Sequence, residues 1–153
     1  MRFARYVEPA GRYRKGYDMR FDGKVCVITG GSNGIGRCMV EEFLKEGAFV
    51  AFSDIDQERG EELAVQYGEQ KVLFFCGDLS TQRALEKFSR EIERRFQRVD
   101  ILVNNACVNK KGILSGCSFE EFDSVLRLGV VAPYYLACLL QEFFSPGAAV
   151  VNI

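Results

Sequence analysis

The run Thr29-Gly30-Gly31-Ser32-Asn33-Gly34-Ile35-Gly36 is the first place in this 153-residue chain where residue types and spacing point to chemistry. It follows an apolar stretch and precedes a helical one. Such a loop leaves backbone N–H groups and the positive end of a helix dipole facing one point, which suits a pyrophosphate. Gly30 and Gly34 allow a tight turn and close backbone approach, and Gly36 lets the helix pack against the strand. Glycine-rich turns are common, so the strand–turn–helix context carries the weight. The second candidate is Asp54, 18 residues after Gly36 and at the end of the next apolar run. A carboxylate there accepts both hydroxyls of an adenosine ribose and repels a 2′-phosphate, which favours NAD over NADP. A helix-capping or turn aspartate is the plainer alternative.

Composition removes several other chemistries. Histidine and tryptophan are absent, so a histidine base and imidazole-bearing zinc sites are excluded from this chain. The six cysteines (26, 38, 76, 107, 117 and 138) form no C-x-x-C pair, and no metal site is expected. Several lie in apolar runs such as Val25-Cys26-Val27, so reduced, buried thiols in a cytoplasmic protein are expected, with a disulfide scaffold as the alternative. Hydrophobic residues make up 48% and the formal net charge is −1, as for a globular domain and unlike a disordered tail. No unbroken apolar run approaches the roughly 18–20 residues of a membrane span, and no secretory signal is expected from the opening residues.

Charge is uneven. Residues 1–20 hold six basic residues against two acids, with Phe3, Tyr6, Tyr13 and Tyr17 among them. Contact with RNA or a membrane surface is one reading of such a segment; a solvated basic arm is the preferred one, with no nucleic-acid or membrane partner. Met19-Arg20-Phe21 repeats the opening Met1-Arg2-Phe3, as an upstream-extended start would produce.

Positioning these residues requires a regular alternation of elements. Strands are predicted at Lys24–Thr29, Ala48–Ser53, Lys71–Cys76, Asp100–Val103 and Ala148–Ile153. Helices are predicted at Ile35–Glu46, from an Asp56 cap to about Tyr67, over 82–97, and from the Ser118/Glu121 capping box to about Phe144. Lys110–Cys117 reads as a polar loop. Strands apolar on both faces and separated by helices imply a parallel sheet covered on both sides, an α/β doubly wound, Rossmann-like fold. The domain runs over 21–153, after the arm.

The spacing Gly30-x-x-x-Gly34-x-Gly36 resembles that of the classical short-chain dehydrogenase/reductase family. Four further segments resemble the family in order: Cys76-Gly77-Asp78-Leu79, Asn104-Asn105-Ala106-Cys107, Phe122–Pro133 and Val150-Val151-Asn152-Ile153. The resemblance covers roughly residues 20–153. It implies that Ser32, Asn33 and Ile35 complete the pyrophosphate loop and that Ile55 joins Asp54 at the ribose. It also implies that Asp78 and Leu79 hold the adenine, and that Asn105, Ala106 and Cys107 line the cofactor cleft.

Three departures qualify the likeness. Cys107 stands where the family has glycine, so a side chain enters the cleft. Gly129 stands where the family has a catalytic asparagine. Pro133, four residues later, lacks the N–H that would bond the Gly129 carbonyl, leaving it for water. The catalytic serine and the Tyr-x-x-x-Lys motif are expected after the fifth strand, where the sequence stops at Ile153. The expectation is therefore a fold truncated after that strand, binding NAD but inactive alone. Its parent would be a homo-oligomeric oxidoreductase acting on an alcohol or carbonyl compound. A non-catalytic NAD-binding or interaction module is the alternative, and a nonfunctional remnant the third.

Overall fold

The computed structural model describes residues 19–108 and 116–153. Residues 1–18 of the basic arm and most of the Lys110–Cys117 loop lie outside the described residues. Five strands form one parallel sheet in the order β3-β2-β1-β4-β5: β1 Val25–Thr29, β2 Phe49–Asp54, β3 Val72–Cys76, β4 Val99–Asn104 and β5 Phe144–Asn152. The helices between them are α1 Gly34–Lys45, α2 Gln57–Tyr67, α3 Gln82–Phe96, α4 Phe119–Leu126 and α5 Ala132–Leu140. The doubly wound, Rossmann-like fold class is as expected.

Strand periodicity divides the core in two. Cys26, Ile28, Val50 and Phe52 point to the α1/α2 face, where Val40, Leu44 and Leu63 meet them. Val27, Ala51, Phe75 and Leu102 point to the other face, covered by Leu85, Phe88 and Ile92 of α3 and by Leu136 and Leu140 of α5. Alternation on strands and helical spacing opposite them produce both layers from one sequence pattern. Strand order reverses between β1 and β4. In open parallel sheets that reversal opens a crevice at the carboxyl ends of the strands.

Two elements depart from the expected boundaries. The long helix does not run as one α-helix. A π-helical turn, Arg127–Val131, separates α4 from α5, and a short 3₁₀ turn, Gln141–Phe143, ends it. Pro133 explains the interruption: it has no N–H for the helical ladder, and Ala132 donates to Arg127, five residues back. Strand β5 starts earlier than Ala148. Phe144 pairs with Val99 and Ala149 with Ile101, so β5 spends five residues where β4 spends two. Gly147, at φ +81°, lies in this bulge.

Taken whole, Phe119–Phe143 is a 25-residue helix, and an 18-residue window within it has a mean hydropathy of 1.4, enough by length and composition alone to cross a membrane. Counting only unbroken apolar runs passes over it. Ala132, Leu136 and Leu140 are spent on the core beside α3, while Phe119, Phe122, Leu126, Val130 and Tyr134 form an exposed apolar stripe.

The cysteine expectation needs correction. All six are free, but only Cys26 is buried; Cys38, Cys76 and Cys107 are exposed. An apolar neighbour in sequence does not bury a residue that a helix or strand end turns outward.

Candidate functional site

The carboxyl ends of the strands enclose a cleft of about 540 Å³. Gly30, Asn33, Ile35 and Gly36 line it from the glycine loop, Asp54 and Ile55 from the end of β2, and Asp78 and Leu79 from beyond β3. Asn105, Ala106 and Cys107 line it from beyond β4. Of the thirteen residues expected to hold a cofactor, eleven line this one cleft. Ser32 and Gly34 do not, although both belong to the loop that shapes it.

The loop is built by contacts that only glycine permits. Gly30 sits at φ +69° and Gly34 at φ +53°, a region that L side chains rarely adopt. A Cβ on Gly36 would overlap the carbonyl oxygen of Gly30. The packing partner of Gly36 is thus the loop itself. Gly31, not singled out from the sequence, is equally constrained: a Cβ there would lie 2.7 Å from the Phe52 ring. Asn33 caps α1, its side chain accepting from the Gly34 N–H. The helix therefore begins at the cleft with its N-terminal end directed there.

Asp54 is held in one orientation by backbone alone. Its Oδ2 accepts from the Ser32 N–H at 2.9 Å, and its Oδ1 from the N–H groups of Ile55 at 2.8 Å and Asp56 at 3.1 Å. Capping of α2 falls instead to Asp56, which accepts from the Arg59 N–H. Asp54 is thus not the helix cap, but its bonds to the two following N–H groups make it a turn aspartate, the other half of the plainer reading. Asp78 Oδ1 accepts from the Ser80 N–H, which fixes the turn after β3, and Leu79 is buried beneath it.

Asn105 has a clear structural role. Its Nδ2 donates to the carbonyls of Thr29 and Gly30, both at 3.0 Å, tying the end of β4 to the glycine loop. The Thr29 hydroxyl accepts from the N–H groups of Asn105 and Ala106. Thr29 was not a sequence candidate; its place at the end of β1, next to the loop, was the available signal. Cys107 is exposed in the cleft, and Gly129 lies on the π-turn outside its lining.

The spacing Tyr-x-x-x-Lys does occur once in the chain, as Tyr67…Lys71. Tyr67 ends α2 and Lys71 precedes β3, at the amino end of the sheet and away from the cleft, with Lys71 Nζ over the Phe49 ring. It is no part of this site.

At that amino end lies the most heavily bonded carboxylate among the described residues. Asp100, 5% exposed, accepts from Arg98 at 2.6 Å, Ser145 at 2.7 Å, the Val25 N–H at 3.0 Å and Lys24 at 3.5 Å. Burial works to raise its pKa, but the Arg98, Val25 and Ser145 bonds outweigh it and hold the carboxyl at about 2. Burial, and secondarily the Asp100 charge, push the neighbouring Cys26 thiol up to about 12.

Residues 24–153 match the family model described as short chain dehydrogenase. A 3-beta-hydroxysteroid dehydrogenase from Comamonas testosteroni is 31% identical over 136 residues, covering 88% of this chain and 53% of the relative. The solved apo SCOR enzyme from Clostridium thermocellum is 40% identical with a TM-score of 0.72, covering 79% of this chain and 49% of that one. A blue fluorescent protein from a metagenomic library, solved in complex with NADPH, shares the fold at a TM-score of 0.80 and 23% identity, covering 86% of this chain and 56% of that one. The chain spans about half the length of the relatives it matches.

Proposed function

This chain belongs to the short-chain dehydrogenase family, and we propose on that premise that it is the NAD-binding part of an oxidoreductase acting on an alcohol or carbonyl compound. One observation carries the reading: the cleft gathers an anion-suited loop and helix terminus, an oriented carboxylate at Asp54 and the turn at Asp78. The residues fit the cofactor. Glycines at 30 and 36 let the loop close tightly on itself and on Asn105 and Ala106, while the Cβ side of Gly34 opens on empty space, which supports the close backbone approach a pyrophosphate needs. Backbone N–H groups use part of the acceptor capacity of Asp54; the rest faces the cleft, where ribose hydroxyls are its natural donors. Its charge disfavours a 2′-phosphate, which supports NAD over NADP.

Bound NAD supplies the hydride acceptor. The chain's own residues bind and orient it: Gly30, Gly34 and Gly36 by backbone shape, Asp54 and Ile55 at the ribose, Asp78 and Leu79 at the adenine. Asn105 and Thr29 hold the loop in register. Moving the proton on the substrate oxygen needs an acid/base, and no tyrosine–lysine pair lines the cleft among the described residues. On this reading the 153-residue chain binds NAD and is not expected to turn over substrate by itself. The free thiols support a reducing, cytoplasmic setting. The exposed stripe Phe119, Phe122, Leu126, Val130, Tyr134 supports a homo-oligomer.

Calorimetry with NAD and NADP on the wild-type chain tests the reading, beside a dehydrogenase screen over alcohols, polyols and steroids. Saturable NAD binding tighter than NADP binding is expected, with no turnover. Absence of binding to either would overturn it, and robust turnover would place an acid/base among residues whose only assigned role is to build the fold. Light scattering on the eluted protein tests the oligomer; a clean monomer at micromolar concentration counts against it.

A further inference from the structure

Beside the cleft lies a second, small space of about 10 Å³, lined by Thr29, Asn104, Leu128 and Pro133 and otherwise by apolar residues such as Leu85 and Leu136. Its volume is room for one water molecule. Three polar groups at its wall have unspent capacity of complementary kinds. The Asn104 side chain is 5% exposed; its Nδ2 donates to Asn152 Oδ1 at 2.8 Å, but its own Oδ1 has no partner. The Thr29 hydroxyl accepts two backbone N–H groups, which leaves its proton to donate. The Leu128 carbonyl faces a ladder with both natural donors removed. The N–H four residues on, at Ala132, goes to Arg127, and Pro133, five residues on, has none.

From these groups we infer a resident water that donates to Asn104 Oδ1 and the Leu128 carbonyl and accepts from the Thr29 hydroxyl. Three partners, two acceptors and one donor, match the hydrogen-bonding capacity of a buried water. Leaving Asn104 Oδ1 dry would strand a buried acceptor, at a cost that native structures avoid. The water joins the ends of β1 and β4 to the π-turn of the long helix, and so links the cofactor loop to the segment carrying Gly129. The inference stands apart from the cofactor reading, since every group in it belongs to the folded chain.

The test is a crystal structure of the full chain at a resolution that orders buried waters, with water–protein cross-relaxation by NMR in solution. One water is expected within hydrogen-bond reach of Asn104 Oδ1, Thr29 Oγ1 and the Leu128 oxygen. An empty space without a cross-peak, or a protein N–H on Asn104 Oδ1, would overturn the inference whatever any variant does. Thr29→Val sharpens it. The hydroxyl proton is removed, so the water loses its donor and its cross-relaxation signal falls several-fold. An unchanged signal in a folded Thr29→Val protein would remove Thr29 from the site and overturn the three-partner water.

Discussion

Asp54 and Asp100 are carboxylates of one sheet, at opposite ends of its strands, and the protein satisfies them in opposite ways. Asp100 is closed off at the amino end, saturated by three side chains and one backbone N–H. Asp54 is held only by backbone N–H groups and still faces an open cleft. Side-chain donors neutralise a carboxylate and consume it. Backbone donors orient it and leave its outer side for a ligand. The amino end therefore works as a clasp and the carboxyl end as a receptor.

Asp100→Ala is expected to give the largest effect and to fall wholly on the clasp. Removing one partner of a buried network leaves Arg98, Ser145 and the Val25 N–H unmatched, a loss of about 3 kcal/mol in urea unfolding. The preference for NAD over NADP should stay as it was. A loss below about 1 kcal/mol would break the contrast between the two ends.

The acid limb of stability should belong to the same residue. The folded carboxyl, at about 2, lies below its ordinary value of 3.8, so its contribution is fully present above about pH 4. It is lost as pH falls through the folded value, and amounts to about 2 kcal/mol. Unfolding free energies measured from pH 5 to pH 2 should show this slope, and Asp100→Asn should flatten it.

At the receptor end, Gly36→Ala forces a methyl group onto the Gly30 carbonyl. The overpacking costs about 2 kcal/mol, read as a roughly thirtyfold weaker NAD affinity by calorimetry. Asp54→Ala should be smaller and more selective. Losing charge-assisted ribose contacts weakens NAD about tenfold, toward the low end of a 1–3 kcal/mol range, and narrows its margin over NADP. An unchanged NAD:NADP ratio would sink the role given to Asp54.

The smallest effect is chemical. Thiol labelling followed by mass spectrometry should modify Cys38, Cys76 and Cys107 in the folded protein, and Cys26 only after unfolding, because burial keeps its proton. Saturating NAD should slow modification of Cys107 alone among these three.

Most of the receptor was legible in the sequence because its parts are local. Thr29–Gly36 is one contiguous turn, and Asp54, Asp78 and Asn105 each follow a strand whose apolar run is plain. The clasp was not legible, since Lys24, Arg98, Asp100 and Ser145 meet only after β1, β4 and β5 have paired. The same holds for Gly31 against Phe52 and for Gly60, whose missing side chain admits the Phe74 ring. Pro133 announced an interrupted ladder, but whether the helix would bend or widen into a π-turn depends on packing against β4 and α3. The early start of β5 was not legible, because Pro146 and Gly147 interrupt the apolar run ahead of Ala148 and form a bulge inside the strand.

That bulge gives the sheet slack. Below it, Phe144 and Ser145 are anchored to Val99 and Asp100; above it, Ala149–Asn152 keep strict register with Ile101–Asn104. Residues 146–148 bridge two fixed points without setting the spacing of either. A residue gained or lost there changes the size of the loop and leaves every side chain above it on its own face. This is the stretch of β5 where a change of length leaves the Asn104–Asn152 contact in place.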